Sequence, residues 1–409
     1  MRIIFSFIRK LIVFIFLALS GVFYVFYALT PVYDFAEPAP FKGDKIFNPY
    51  DDLEPTDWKK ANFQVQSKVW FGFTNGWKNN NEGIYSIYRK LGYDIITISD
   101  YMQINPYNSD SENYIPVYEH GYGIFKNHQI CLGARKVLWF DFPFYQSVHQ
   151  KQYILDLLEP DNEVVAIAHP RIRNAYSLED MKLLTNYDLI EAFNQIRYSI
   201  PHWDAALSAG NLHYLLANDD AHDISVPEEV GRVCTYINTP SLKPEAVYAA
   251  LKSGKAYAAD IHMDYDEPFE IKAEKAKLVP QLLSCKVTDN VLKILLTEPA
   301  EKITFVGQDG KVLRNIANTD EGTYFIQPWD TYIRTEIMFP NHTRFFLNPV
   351  FRYEGDTPVM KAAAAVNRHN TLIYRTIAFS LLFVLVLTAV LYRKRRKKRR
   401  RLSPKRYYS

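Results

Sequence analysis

The fold of this 409-residue chain is decided by a short apolar run, Val164-Val165-Ala166-Ile167-Ala168-His169-Pro170. A continuous apolar run with β-branched residues is typical of a strand that is buried on both faces. Pro170 cannot donate a hydrogen bond to a neighbouring strand, so the strand ends there and His169 lies at its carboxyl end. Because the catalytic residues of parallel-strand barrels gather at that end, His169 is either a functional residue or a hydrogen-bonded histidine of the core.

Strands and helices alternate on both sides of this run. Upstream, a strand at 69–73, a helix at 82–91 and a strand at 93–99 follow the order of a βαβ unit, which implies a parallel sheet. Alternation over about 200 residues favours an α/β fold with a closed or nearly closed barrel, and an open doubly wound sheet is the alternative. The other elements predicted here are strands at 115–118, 129–132, 189–194 and 214–217, and helices at 147–158, 177–184, 203–209 and 244–253.

From about residue 268 the period of the apolar residues changes to two, which is typical of antiparallel strands. Asp309-Gly310 is a hairpin signal between two of these strands. The pattern predicts a small β-sandwich at 266–356, following a barrel at 63–265. Its predicted strands are 291–296, 303–306, 332–337 and 344–347.

Two longer apolar runs lie near the ends of the chain. Residues 11–29 carry no charge and follow Arg9 and Lys10, and they are long enough to span a bilayer. We predict a retained anchor, with a cleaved signal peptide as the alternative. A second run at 376–392 precedes nine consecutive Lys and Arg residues, so the positive-inside rule places both termini in the cytoplasm and the main domain on the exported side. The predicted order is an anchor at 1–29, a linker at 30–62, the barrel, the sandwich, a connector (helix-prone at 362–365) with the second transmembrane helix at 357–392, and a basic cytoplasmic tail at 393–409.

The charge is divided unevenly along the chain. All 45 acidic residues lie within 30–360, together with 31 of the 48 Lys and Arg, although the formal net charge of the whole chain is +3. An acidic exported part repels nucleic acid phosphates, which argues against a DNA or RNA partner. The basic tail either binds anionic lipid head groups or only fixes the topology. Three widely spaced cysteines make no disulfide framework or zinc-ribbon spacing.

Residues that bind metals recur near the ends of the predicted parallel strands. Carboxylates and imidazoles gathered at one barrel mouth are the ligands of zinc, manganese and iron sites. Each alone is readily explained as structural, whereas several at one rim indicate a metal site. The strand-end residues are Asp100, Glu119, His128, His169, Glu191, Asn194, Asp220 and His222. The histidines predicted at the surface are His149, His202, His213, His262, His342 and His369.

Several segments resemble the PHP (polymerase and histidinol phosphatase) family of metal-dependent phosphoesterases. The trailing YIRTEI and FFLNPVF segments are similar to the sandwich appended in the CehA/McbA-like branch of that family. The resemblance implies a distorted, TIM-like (β/α)7 barrel that holds up to three metal ions. The matching segments are GYDIITISDY at 92–101, VVAIAHP at 164–170, LIEAFN at 189–194, ANDDAHD at 217–223 and LKSGKAYAA at 251–259.

The same resemblance assigns ligands. It implies that Glu119, His128 and His169 bind one metal ion, and that Asp220 binds a neighbouring ion which Glu119 would bridge. It implies that His222 binds a third ion.

The chain departs from the family at two motifs. The strand that ends His-x-His in the family corresponds to Phe71-Gly72-Phe73, and the family's Thr-Asp-His corresponds to Ser99-Asp100-Tyr101. We therefore expect one divalent ion rather than three, with zinc first and manganese or iron as alternatives.

The remaining residues suggest catalytic roles. A metal ion at Glu119, His128 and His169 would lower the pKa of water and polarise a phosphoryl or acyl oxygen. Asp220 would orient or deprotonate that water, His222 would protonate the leaving group, and Tyr101 would donate a hydrogen bond to developing negative charge. The expected function is a membrane-anchored phosphoesterase acting on a small phosphorylated or ester substrate. The alternatives are an inactive PHP-like module that binds a metal or a phosphorylated ligand at the membrane surface, and a purely structural membrane protein.

Overall fold

The computed structural model describes residues 2–74, 76–264, 266–358 and 364–402. Its helices are α1 (Arg2–Leu29), α2 (Asn81–Lys90), α3 (Val148–Leu158), α4 (Leu178–Leu183), α5 (Ile200–Ser208), α6 (Pro244–Lys252), α7 (Phe269–Lys277) and α8 (Arg368–Leu402). Its strands are β1 (Tyr33–Asp34), β2 (Lys45–Phe47), β3 (Trp58–Asn62), β4 (Ile95–Ile96), β5 (Val117–His120), β6 (Gln129–Leu132), β7 (Val164–Ile167), β8 (Leu189–Asn194), β9 (Tyr214–Asn218), β10 (Val233–Asn238), β11 (Ala256–Asp260), β12 (Leu282–Thr288), β13 (Val291–Gly307), β14 (Lys311–Phe325), β15 (Tyr332–Met338), β16 (Arg344–Tyr353) and β17 (Ala365–Val366).

The chain divides into two compact units, Met1–Asp34 with Ala365–Ser409, and Phe35–Ala364. In the first unit, α1 and α8 are long and apolar enough to cross a membrane by length and composition. The 26 residues Ile4–Leu29 would span about 39 Å as a helix, against a hydrocarbon core of about 30 Å.

Hydrogen bonds join the two long helices of this unit. The Tyr24 hydroxyl donates to the Ala378 carbonyl over 2.7 Å, and the Tyr374 hydroxyl donates to the Tyr27 carbonyl over 3.1 Å. Residue numbers rise along one helix as they fall along the other, so α1 and α8 are antiparallel. The short strands β1 and β17 pair antiparallel next to them. The beginning of α1 and the end of α8 therefore lie at the same end of this hairpin.

The second unit contains two open sheets. One has the strand order β5-β6-β7-β8-β9, and the other has the order β12-β13-β15-β16-β11-β10-β3-β4, with β14 on β13 and β2 on β16. The predicted barrel is not confirmed, because neither sheet closes on itself within the described residues. Where the sheets approach each other, pairing is limited to single bridges, Val65 with Ala221 and Tyr101 with Glu119. The βαβ rhythm does give the parallel strands β7, β8 and β9.

The predicted strand at 69–73 is wrong. Trp70–Gly72 forms a short 3-10 turn, and the side chains of Phe71 and Phe73 are 97% and 91% exposed, so this apolar run supplies no buried strand face. The strand that precedes α2 is β3, which lies within the stretch predicted as a linker. It was hidden by Lys60, whose buried ammonium donates to the Leu91 carbonyl and lies 4.1 Å from the centre of the Tyr93 ring.

The C-terminal strands do not form a sheet of their own. Strand β16 pairs with β11, where Tyr257 lies opposite Leu347, so the strands predicted as a separate sandwich continue the ten-stranded sheet. The Asp309-Gly310 turn joins β13 to β14 as the hairpin signal predicts. Residues 359–363 of the predicted connector and 403–409 of the basic tail lie outside the described residues.

Candidate metal centre

Three strand ends bring one carboxylate and two imidazoles together. Glu119 lies on β5, His128 directly precedes β6 and His169 follows β7 after one residue. Strands β5, β6 and β7 are neighbours, and the Ala168 amide donates to the His128 carbonyl, so the start of β6 lies beside the end of β7. All three side chains are buried, and one ligand atom from each lies within 4.8 Å of the other two. We call Glu119, His128 and His169 the donor cluster.

Glu119 is at the centre of the donor cluster. Its Oε1 is bound by Nδ1 of His128 and lies 3.4 Å from Nε2 of His169, and its Oε2 accepts a 2.5 Å hydrogen bond from Nε2 of Gln66. Burial is the largest single influence on the pKa of Glu119 and raises it. The charges and hydrogen bonds of the two histidines together outweigh burial and hold this pKa well below its usual range. Burial lowers the pKa of His128, against the opposing charge of Glu119.

The donor cluster fits a divalent cation. Ligand atoms at 2.0–2.1 Å from a tetrahedral ion are about 3.3 Å apart, close to the 3.4 Å between Oε1 of Glu119 and Nε2 of His169. Nδ1 of His128, which is hydrogen-bonded to the same Oε1, would move away from that oxygen to bind the same ion. Two more buried atoms, Nδ1 of His169 and Oδ1 of Asp220, have no hydrogen-bond partner in the described part of the chain. Unpaired buried polar atoms are costly and rare. Two imidazoles, one carboxylate and a further unpaired carboxylate oxygen are a donor set that suits zinc, manganese or iron.

Glu191 holds His169 in place. The His169 backbone adopts φ +31°, a region that a non-glycine residue occupies only when its surroundings enforce it. Its amide donates to Oε2 of Glu191 over 2.9 Å, while Oε1 of Glu191 accepts from the Asn218 amide over 3.1 Å. Burial raises the pKa of Glu191 to about 7, with the charge of His169 opposing. The sequence singled out Glu191 as a strand-end residue, and the structure gives it a positioning contact.

Asp220 and His222 lie beside the donor cluster but are not members of it. Oδ2 of Asp220 accepts from Nδ2 of Asn194 over 3.2 Å, and Oδ1 lies 4.0 Å from Nε2 of His222. Burial, then the charges of Glu119 and Glu191, raise the pKa of Asp220 well above its usual value. Burial lowers the pKa of His222, against the charge of Glu119.

Asp100 and Tyr101, which follow β4, have different environments. Both oxygens of Asp100 accept hydrogen bonds, from Ser67 and from Asn105, so this carboxylate is a structural acceptor. The Tyr101 ring meets the His128 ring edge to face at 5.5 Å between centres. Burial, then the charges of Glu119 and Asp220, raise the pKa of Tyr101, so its phenol stays protonated and can donate.

The first motif of the resemblance supplies no buried side chain. Phe71 and Phe73, which correspond to the His-x-His of the resemblance, are exposed, whereas Gln64 and Gln66 after β3 are buried and Gln66 contacts Glu119. Both glutamines are fully buried. The signal that could have found them is the polar–apolar–polar alternation after a strand. The histidine assignments also need correction, since His202 and His213 are buried rather than at the surface.

A pocket of about 470 Å³ opens beside the donor cluster. His128 and Tyr101 line it, and Lys126 is the only permanently charged side chain among the described lining residues. The Lys126 ammonium lies 5.5 Å from the centre of the Tyr101 ring, and its charge lowers the pKa values of Asp220, His128 and His222 to a minor extent. The sequence analysis missed Lys126. The lining residues are Trp70, Phe73, Thr74, Tyr101, Met102, Gly121, Tyr122, Gly123, Lys126, His128 and Trp139.

No protein-family model matches the chain, and no curated protein matches it. A solved structure from Bacteroides vulgatus, a two-domain protein described as containing a predicted PHP-like metal-dependent phosphoesterase, is similar over 79% of this chain and 92% of its own. The two chains are 10% identical and superpose with a TM-score of 0.35.

Proposed function

We propose that this chain is a membrane-anchored, metal-dependent phosphoesterase that uses one divalent ion at Glu119, His128 and His169. The observation that carries the proposal is the buried donor cluster at the wall of a pocket whose one permanent charge is positive. Zinc suits two imidazoles and one carboxylate, and manganese or iron would also be accepted by this set. A cationic pocket wall next to a metal-binding set favours an anionic substrate, and a phosphate ester is the anion that such a site hydrolyses.

The residues around the cluster divide the chemistry. A divalent ion held there would supply Lewis-acid polarisation of a phosphoryl oxygen and lower the pKa of water. Asp220 presents an unpaired carboxylate oxygen that can accept a proton from the attacking water. The ammonium of Lys126 and the protonated phenol of Tyr101 both face the pocket and stabilise negative charge that develops on the phosphoryl group. His222, partly exposed beside Asp220, donates a proton to the leaving alcohol.

We propose that α1 and α8 anchor the protein, with both termini in the cytoplasm and Phe35–Ala364 on the exported side. The antiparallel packing of the two helices supports a common side for the two chain ends. The basic residues that follow the apolar part of α8 favour the cytoplasm. We also propose that this basic tail binds anionic lipid head groups.

The proposal is tested on the full-length protein purified in detergent. We expect about one equivalent of bound metal by elemental analysis, and turnover of p-nitrophenyl phosphate or bis(p-nitrophenyl) phosphate when Zn²⁺ or Mn²⁺ is added. His169→Ala should lose both metal and turnover. The matched control is His202→Ala, which removes another buried histidine whose Nε2 contacts the Tyr176 carbonyl outside the donor cluster. Turnover that survives in His169→Ala would refute the assignment.

One observation favours a second candidate, a metal-binding module without turnover. Phe71 and Phe73 stand where the resemblance implies two imidazoles and cannot bind a metal ion, and the amide of the buried Gln66 donates to Glu119. This arrangement leaves fewer metal ligands than the family motif provides. One equivalent of metal with no hydrolysis of either ester would select this module over the enzyme.

A further inference from the structure

Apolar side chains that the fold leaves in solvent line the pocket or directly follow a lining residue in the sequence. They belong to the turn after β3 and to the segments on either side of β6, and several are more than half exposed. Monomeric proteins rarely expose contiguous apolar surface of this kind unless it binds something. We call this surface the apolar rim; its members are Trp70, Phe71, Phe73, Tyr122, Ile124 and Trp139.

The apolar rim is held in place rather than left loose. Nε1 of Trp70 donates to the Tyr101 carbonyl over 2.7 Å, and the Trp70 ring meets the Trp139 ring edge to face at 5.7 Å between centres. The Tyr122 hydroxyl donates to the Asp141 carbonyl over 2.9 Å. Rings fixed in this way present a preformed surface to a ligand, which lowers the entropic cost of binding.

Phe71 buries almost none of its side chain in the folded protein. Its backbone lies in the left-handed region at φ +56°, which is unfavourable for a bulky residue, and its side chain is 97% exposed. Strain without burial points to contact with something outside the chain.

The charges beside the apolar rim identify the partner. Lys126 lines the pocket, and the exposed Arg173 donates to the Ile124 carbonyl over 2.7 Å. These cations stand out in a unit that is acidic as a whole. Aromatic side chains flanked by Lys and Arg are typical of surfaces that meet the polar–apolar boundary of a lipid. A chain with two helices able to span a membrane also meets lipids at high local concentration.

We propose that the substrate is a phosphate monoester of a membrane amphiphile, with its phosphate at Lys126 and the donor cluster and its hydrocarbon chain on the apolar rim. This inference rests on the proposed phosphoesterase function and specifies its substrate class. The water oxygen forms a bond to phosphorus, the bond from phosphorus to the lipid oxygen breaks, and that oxygen takes a proton. The products are inorganic phosphate and a neutral long-chain alcohol.

The test compares two esters with the same scissile bond, glycerol 3-phosphate and 1-dodecanoyl-glycerol 3-phosphate. We expect the full-length, metal-loaded protein in lipid nanodiscs to prefer the acylated ester by about 100-fold in kcat/KM, because several methylenes leave water on the apolar rim. In Phe71→Ala/Trp139→Ala this preference should fall about tenfold or more. The control Trp329→Ala removes another tryptophan, 75% exposed, from outside the apolar rim, and should keep the preference.

The outcomes separate the two proposals. Equal kcat/KM for both esters, or an undiminished preference in the double variant, overturns the lipid inference while hydrolysis itself upholds the phosphoesterase. If no ester is hydrolysed, the proposed phosphoesterase activity is refuted, and the lipid part of the inference is then tested by ligand binding alone. Dodecyl phosphonate must then bind more tightly than methyl phosphonate, and the double variant must lose that difference while Trp329→Ala keeps it. If the apolar rim binds a protein, and phosphonate binding does not depend on the length of the hydrocarbon chain, the lipid inference is also overturned.

Discussion

The side-chain amide of Gln66 donates to Oε2 of Glu119 over 2.5 Å, so this carboxylate oxygen of the donor cluster is already hydrogen-bonded within the chain. Gln64, two residues earlier, is also buried and neither polar atom of its side chain has a partner among the described residues. Both side chains are buried after β3, and Gln66 contacts the donor cluster directly. We expect Gln64→His/Gln66→His to raise the bound metal from about one to about two equivalents, measured by elemental analysis, because imidazoles bind zinc far better than amides do.

The matched control for this change is Gln64→Leu/Gln66→Leu, which alters the same positions without adding ligands. It should keep about one equivalent of metal. A double histidine variant that still binds one equivalent would show that positions 64 and 66 cannot form a second metal site.

Replacing Glu191 by glutamine should weaken metal binding through His169. The carboxylate accepts the His169 amide and holds a backbone with positive φ, and partners of this kind typically change metal affinity 10- to 100-fold. We expect a drop of about that size for Glu191→Gln in a chelator competition titration. Asp188→Asn is the control, because Asp188 accepts the Val165 amide at the other end of the same two strands. Equal affinities in wild type and Glu191→Gln would contradict the positioning role.

The three residues of the donor cluster are among the eight strand-end residues that the sequence singles out, and the resemblance assigns these three to one metal ion. Strand β8 and strand β6 have their predicted bounds, and β7 ends before His169 as Pro170 requires. The sequence pattern did not reveal that the sheets are open, because the spacing of apolar residues shows that a strand is buried but not whether its neighbour runs parallel or antiparallel to it. One signal was available, since the eight residues between His120 and Gln129 are too few for a parallel crossover, which needs a dozen or more.

Other differences between the predicted and the observed strands come from side chains whose burial does not match their polarity. Lys60 is buried, with its ammonium bound to the Leu91 carbonyl and packed on the Tyr93 ring. A lysine at this position hid the apolar pattern of β3, so the strand was not predicted. Phe71 and Phe73 are exposed, although their apolar side chains led to the prediction of a buried strand at 69–73. In both places the sequence pattern reports residue type, whereas tertiary contacts decide burial.

The buried ion pair between Asp204 and Arg334 should stabilise the second unit as a whole. Two hydrogen bonds of 2.7 and 2.8 Å join the guanidinium on β15 to the carboxylate on α5. Asp204→Ala leaves the buried guanidinium with Glu336 as its remaining acidic partner, so we expect the free energy of unfolding to fall by about 3 kcal/mol, the lower end of the range for a broken buried pair. Denaturant unfolding should show one transition at lower denaturant. The double variant Asp204→Leu/Arg334→Met should recover part of the loss, and two separate transitions would indicate that the C-terminal strands unfold independently.

His213 should make the protein sensitive to acid. It is buried and stacks on the Tyr187 ring at 3.6 Å, and burial lowers its pKa to about 3 from the ordinary 6.5. Between pH 6.5 and 3 the unfolded chain binds a proton that the folded chain excludes. Stability therefore falls as the pH falls through this window, by roughly 1 kcal/mol per pH unit from this group. The unfolding free energy of His213→Phe should depend less steeply on pH than that of wild type. The exposed His342→Phe is the control, and parallel curves for wild type and His213→Phe would contradict the prediction.

The hairpin of α1 and α8 predicts which side of the membrane each part occupies. A fluorescent protein that folds only in the cytoplasm should be active when fused before Met1 or after Ser409, because antiparallel helices return the chain to its starting side and the basic residues at 393–401 resist transfer. Alkaline phosphatase, active only after export, should be active when inserted in the turn at Asp289-Asn290 between β12 and β13. Replacing all nine basic residues with glutamine should reduce the bias of the C-terminal reporter without affecting the N-terminal one. Alkaline phosphatase that is active after Ser409 would place the C-terminus on the exported side and would contradict the predicted topology.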